Sequence, residues 1–128
     1  MKPTIRHSLL VIGLLLTHAA SAQNAPDPVR GPPGDAAHGH HLFLTVGCYQ
    51  CHGTSGEGGG VFGPKLAPDP LPFIAVDHQL RSPAMRMPVY TAKVLTDQDV
   101  ADIYAYLKSI PPSKQPDQIP LLKIQPQG

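Results

Sequence analysis

The sequence predicts a small all-α domain, three to four short helices joined by irregular loops. Two segments with helix caps and helical apolar spacing frame a middle stretch punctuated by glycine and proline. The chain has 128 residues, among them 12 glycines and 16 prolines. Taken in order, Pro26, Pro28, Pro32 and Pro33 make residues 23–33 a proline-rich linker, expected to be extended. Asp35 suits the N-cap of a first helix running to about Val46, with Leu42, Val46 and the neighbouring Phe43 forming its apolar stripe and Gly47 marking its end. Gly53, Gly56, Gly58, Gly59, Gly60 and Gly63 exclude a long helix in the next stretch. A phosphate-binding loop is also excluded, because no G-K-[ST] follows these glycines. Pro64, Pro68 and Pro70 keep the chain irregular, and Pro72 suits the first turn of a short helix through Leu80 or Arg81, stopped by Ser82-Pro83. Thr96 then caps the last helix, Asp97 and Asp99 complement its dipole, and Val100, Ile103, Tyr104 and Leu107 repeat at helical spacing. Pro111-Pro112 ends that helix, and residues 112–128 have no helical period and read as an extended tail.

The N-terminus has the design of an export leader. Lys2 and Arg6 precede the apolar run Leu9 to Leu16, and Ala20-Ser21-Ala22 is an A-x-A cleavage signal. The run is shorter than the ~20 residues a membrane-spanning helix needs. Residues 1–22 are therefore expected to be removed, leaving no stable membrane span and a chain in the bacterial periplasm. Loss of Lys2 and Arg6 leaves eight basic against nine acidic residues, with no basic stripe, so nucleic acid is excluded as a partner. The remaining 106 residues allow one domain, 34–111, with a modest core: aromatics are 5% and tryptophan is absent.

Both cysteines of the chain lie in Cys48-Tyr49-Gln50-Cys51-His52. Two thiols at this spacing reach the two vinyl groups of one haem, and a histidine directly after the second is held against the iron, so the motif reads as attachment of one covalent haem c. A zinc site would need four ligands, with His52 as a third and only a lone histidine such as His78 as a fourth. A thioredoxin-like redox pair needs a strand-helix context, which Gly47 and Gly53 do not supply. A buried haem also adds the apolar bulk the composition lacks.

A thioether sulfur is the soft second axial ligand expected of an electron-transfer haem. After leader removal only Met85 and Met87 offer one, both in the loop Ser82 to Tyr90 with its prolines Pro83 and Pro88. With Cys48-Tyr49-Gln50-Cys51-His52, Gly63-Pro64-Lys65-Leu66 and Met87-Pro88-Val89-Tyr90 in this order before the last helix, the chain resembles a class I c-type cytochrome, in the compact bacterial monohaem form, over residues 34–111. The resemblance implies the cytochrome c fold, with helices and loops wrapped around one haem and the first and last helices crossing. It selects Met87 as distal ligand to His52, leaving Met85 as a gap-filling core or rim side chain. It further implies that the Pro64 carbonyl accepts a hydrogen bond from His52. Phe43 and Leu42, with Tyr106 or Tyr104, are the expected contacts of the crossing. Tyr106 matches the family's aromatic, and Tyr104 better fits the apolar stripe.

Arg81 is a candidate partner for a haem propionate by charge and placement, with a solvated surface arginine as the alternative. His38, His40 and His41 are expected to be solvated rather than metal-binding. No nucleophile-base pair stands out, so the chain reads as a non-enzyme. The expected function is periplasmic single-electron transfer, as a free carrier or as the haem subunit of a larger complex. Its partners would be a dehydrogenase, an oxidase or another cytochrome. The alternative is a haem-based ligand binder or sensor with an open or labile distal site.

Overall fold

The computed structural model describes residues 27–58 and 62–120. The expected leader, the first residues of the linker and the last eight residues of the tail lie outside them. The described residues contain helices and loops and no strand: α1 (Ala36–Thr45), α2 (Tyr49–His52), α3 (Phe73–Arg81), α4 (Asp97–Ser109) and one 3-10 turn, Pro116–Gln118. None of these helices is long and apolar enough to cross a membrane.

Capping sets where the two long helices begin. The Asp35 carboxylate accepts hydrogen bonds from the Ala37 and His38 amides at 2.8 and 3.1 Å. In α4 the cap is reciprocal: Thr96 Oγ1 accepts from the Asp99 amide at 3.1 Å, and Asp99 Oδ2 accepts from the Thr96 amide at 2.8 Å. Pro72 sits one position before α3, as its N-cap, rather than inside the first turn.

α1 crosses α4 at Gly39, where a Cβ would overlap the Asp102 carbonyl of the facing helix. A glycine in mid-helix costs about 1 kcal/mol against alanine, so its presence here is a packing requirement. The close approach brings Phe43 of α1 against Val100, Ile103 and Leu107 of α4, with Ala67, Leu80, Tyr90 and Leu95 completing the core. The two candidate tyrosines divide the work. Tyr106 meets Phe43 across the crossing, ring centroids 5.5 Å apart. Tyr104 points to the other side, packs edge-on against Phe73 of α3, and donates its hydroxyl hydrogen to the Val29 carbonyl. α4 is therefore buried over a wider arc than one stripe, because α1 lies on one flank and α3 on the other.

Asp102, buried at 4% exposure, was not singled out by spacing. It accepts from the Asp35 amide and the Gln98 side chain through Oδ1, each at 2.8 Å, and from His38 Nδ1 through Oδ2 at 2.7 Å. His38, His40 and His41 are all exposed as expected; His38 in addition pairs across the helices with Asp102, and His40 stacks on Tyr106 at 4.7 Å. The hydrogen bond to Asp102 raises the His38 pKa above its ordinary 6.5. Burial pushes the Asp102 carboxyl up, but the hydrogen bonds from His38, the Asp35 amide and Gln98 outweigh it and hold the group below 3.8. A raised histidine stabilises fully below 6.5, and its contribution is lost as pH rises through the folded value. A lowered carboxyl stabilises above 3.8 and its contribution is lost as pH falls through the folded value. The pair therefore contributes most between these limits. Urea unfolding of the native protein and His38→Ala is expected to show a stability gap at pH 5.5 that narrows by pH 8.5. An equal gap at both pH values would contradict the assignment.

Two expectations about the flanks are corrected. Residues 27–33 are not extended: the Asp27 carboxylate and carbonyl accept from the Val29 and Gly31 amides, and Pro28 and Val29 carbonyls cap the first amides of α3. Those orphan donors at the start of α3 attract the linker, since Pro72 has no side-chain acceptor to offer them. The tail is also not fully extended, because Gln115 and Gln118 cap the single turn Pro116–Gln118.

Candidate haem site

After α1 the chain reverses at Gly47 and enters the single helical turn α2, which carries both thiols and His52. The thiols are free rather than paired. Cys48 is half-buried against the core and Cys51 is exposed. Burial pushes the Cys48 thiol up to about 11, so at neutral pH it is uncharged.

His52 is buried, and its Nδ1 lies 2.8 Å from the Pro64 carbonyl oxygen. A carbonyl can only accept, so Nδ1 carries the hydrogen and Nε2 keeps its lone pair. That is the tautomer a metal-ligating histidine needs, held by the second partner such ligands require. Gly63 makes the approach possible: a Cβ there would stand 2.6 Å from the Cys51 carbonyl oxygen and 3.0 Å from His52 Nδ1. The glycine loop is stitched together as well. Gly58 donates to the His52 carbonyl, Leu66 and Ala67 donate to the Gly56 carbonyl, and the Tyr106 hydroxyl donates to the Thr54 carbonyl.

The two methionines separate cleanly. Met87 packs against the core, and Gln79 Nε2 donates to its Sδ at 3.6 Å. Met85, expected as a gap-filling core or rim side chain, is instead 99% exposed at a turn with φ 62°. No direct hydrogen bond joins Met87 to the Cys48–His52 segment among the described residues. The link runs through Tyr90, whose hydroxyl donates to the Val46 carbonyl at 3.1 Å beside Cys48 and whose amide donates to the Leu80 carbonyl.

Arg81, a candidate propionate partner by its charge, is not a free solvated side chain, because protein acceptors hold its guanidinium. It donates to the Tyr90 and Leu95 carbonyls at 3.0 and 2.7 Å and to Asp97 at 2.9 Å, and it pairs with Asp77 at 3.3 Å. The fork geometry of a guanidinium explains why these acceptors win it.

The donor set suits a haem: two thiols, an imidazole nitrogen with its lone pair free, and a thioether. Phe62 beside Pro64 and Val89 beside Met87 are exposed apolar side chains. Sequence reasoning missed Gln79 and Tyr90 as supports of Met87. Gln79 gave no signal, being one polar residue of α3 outside any motif. Tyr90 was visible only as the end of Met87-Pro88-Val89-Tyr90.

A family model described as cytochrome c oxidase, cbb3-type, subunit III matches residues 34–107. No curated protein and no solved structure matches the chain. Since that match covers more than half of the chain and coincides with the helical domain built around Cys48–His52, the protein belongs to this family and is a c-type cytochrome with a haem electron-transfer function.

Proposed function

We propose that Cys48 and Cys51 hold one haem c through thioethers, that His52 and Met87 are its axial ligands, and that the domain carries single electrons in the bacterial periplasm. The observation that carries this reading is the His52 Nδ1–Pro64 carbonyl bond, which orients the ring and leaves Nε2 for iron. The haem supplies the Fe(III)/Fe(II) couple. The chain's residues fix its surroundings. Met87 contributes a soft sulfur, Gln79 donates to that sulfur, and Tyr90 ties the Met87 loop to the end of α1 beside Cys48. With both His52 and Met87 holding the iron, little rearrangement would accompany a change of oxidation state.

Tyr49 and Gln50 are exposed between the two thiols and form the docking face with the loop around Met87. Residues 82–96 carry Arg86 and Lys93 and no acid, and Lys65 follows Pro64, so this face is cationic on a chain otherwise rich in aspartate. Contacts there are small and transient, as redox encounters are. The family description favours a terminal oxidase as partner or host complex; a dehydrogenase or another cytochrome fits the same face. Residues 1–22 act as the export leader, and residues 112–128 lie outside the haem domain.

Met87→Ala is the test. The reading predicts a large fall in reduction potential, because a sulfur ligand raises it, and binding of carbon monoxide by the ferrous protein. An unchanged potential would remove Met87 from the iron and leave a ligand binder with an open distal site as the better account.

A further inference from the structure

The Met87 segment has little backbone structure of its own. Among the described residues, 83–89 donate no backbone-to-backbone hydrogen bond; the Ala84 amide reaches Gln79 Oε1, and the next anchor is Tyr90, whose amide donates to the Leu80 carbonyl. Beyond it, the loop returns to the core at Leu95, which is fully buried. One side chain spans both return points. Arg81 Nη1 donates to the Tyr90 and Leu95 carbonyls together, while Nη2 and Nε hold Asp97 and Asp77.

We propose that Arg81 is the positioning residue for the sixth ligand: its guanidinium pins the C-terminal side of the loop, at Tyr90 and Leu95, to α3 and thereby sets how readily Met87 leaves the iron. The inference rests on Met87 being that ligand. The four contacts are unequal. Asp97 is 92% exposed and contributes little. The two carbonyls carry the effect, because each belongs to a buried residue and accepts a charge-assisted bond. Without the guanidinium both lose their donor, water enters to replace it, and the segment 83–89 is left on Gln79 and the Tyr90 amide. A lysine keeps the charge but carries its three donors on one nitrogen in place of a planar fork, so it cannot hold both carbonyls and the two carboxylates at once. Arg81→Lys therefore separates geometry from charge: a change in potential there does not come from a lost cation.

The experiment uses the full haem-loaded protein as native, Arg81→Lys, Arg81→Leu and Met87→Ala. Far-UV circular dichroism reports the fold, and the ferrous form is followed for carbon monoxide binding and potential. The expected result is that Arg81→Lys stays folded and attaches haem, binds carbon monoxide roughly tenfold or more faster than native, as loss of charged hydrogen bonds implies, and has a lower potential. Folded Arg81 variants that refuse the gas and keep the native potential, while Met87→Ala opens the iron, would overturn the role of Arg81 and leave the ligand intact. If Met87→Ala itself changes neither reading, the ligand assignment fails and this inference falls with it. If both Arg81 variants fail to fold, Arg81 serves the whole domain rather than the loop, and the proposal is overturned.

Discussion

Gly39→Val is expected to cost the domain its fold. The added Cβ meets the Asp102 backbone of α4, not the movable end of a side chain, so the two helices must part. Parting them breaks the contacts of Phe43 with Tyr106 and with the cluster Val100, Ile103 and Leu107. Overpacking usually costs about 1–3 kcal/mol when side chains can shift. Here the backbone must move, and the penalty approaches the ~5–15 kcal/mol that holds a domain of this kind together. The aromatic pair alone is worth ~0.5–1.5 kcal/mol. Circular dichroism should show either loss of helix or a melting point lowered by more than about 10 °C, given ~4–8 °C per kcal/mol in a domain of this size. A native melting curve would mean that the helices cross elsewhere.

Replacing both Cys48 and Cys51 by alanine should abolish covalent attachment. In a denaturing gel, haem should stay with the native chain and leave the double variant completely. The single variants are expected to differ, because Cys48 is half-buried against the core and Cys51 is exposed. Cys51→Ala keeps the thioether whose sulfur packs with the protein, and so should retain more haem than Cys48→Ala. Haem remaining bound to the denatured double variant would remove the cysteines from the site.

Local rules made much of the fold legible. Asp35 and Thr96 are caps whose side-chain chemistry acts within three residues, so α1 and α4 begin where the sequence places them. The spacing of Val100, Ile103, Tyr104 and Leu107 named the buried face of α4 correctly. The crossing of α1 with α4 was expected from family likeness alone; Gly39, which lets the helices meet, was not singled out, and the partner it meets on α4 lies 63 residues on. What stayed hidden is long-range and polar. Asp102 reads as a surface acid by composition, and only the fold supplies His38, Gln98 and the Asp35 amide to satisfy it. Arg81 reads as a surface cation for the same reason: its acceptors are backbone carbonyls, which every residue has and no sequence pattern marks. Tyr104 and Tyr106 could not be assigned until it was known that α4 has neighbours on two flanks.

At the site, the motif spelled out Cys48, Cys51 and His52 because attachment chemistry demands that spacing. The Pro64 carbonyl was foreseen through family likeness, and Gly63 beside it owes its place to sterics the structure reveals. Choosing Met87 over Met85 likewise rested on likeness. In the structure Met87 packs against the core and Met85 is 99% exposed.

The most direct measurement is the optical spectrum of the reduced, purified protein with and without carbon monoxide. A c-type spectrum that the gas leaves unchanged is the predicted result, with His52 and Met87 both on the iron and the protein an electron carrier. Rapid binding of the gas by the native protein, or a preparation with no haem at all, would contradict that account.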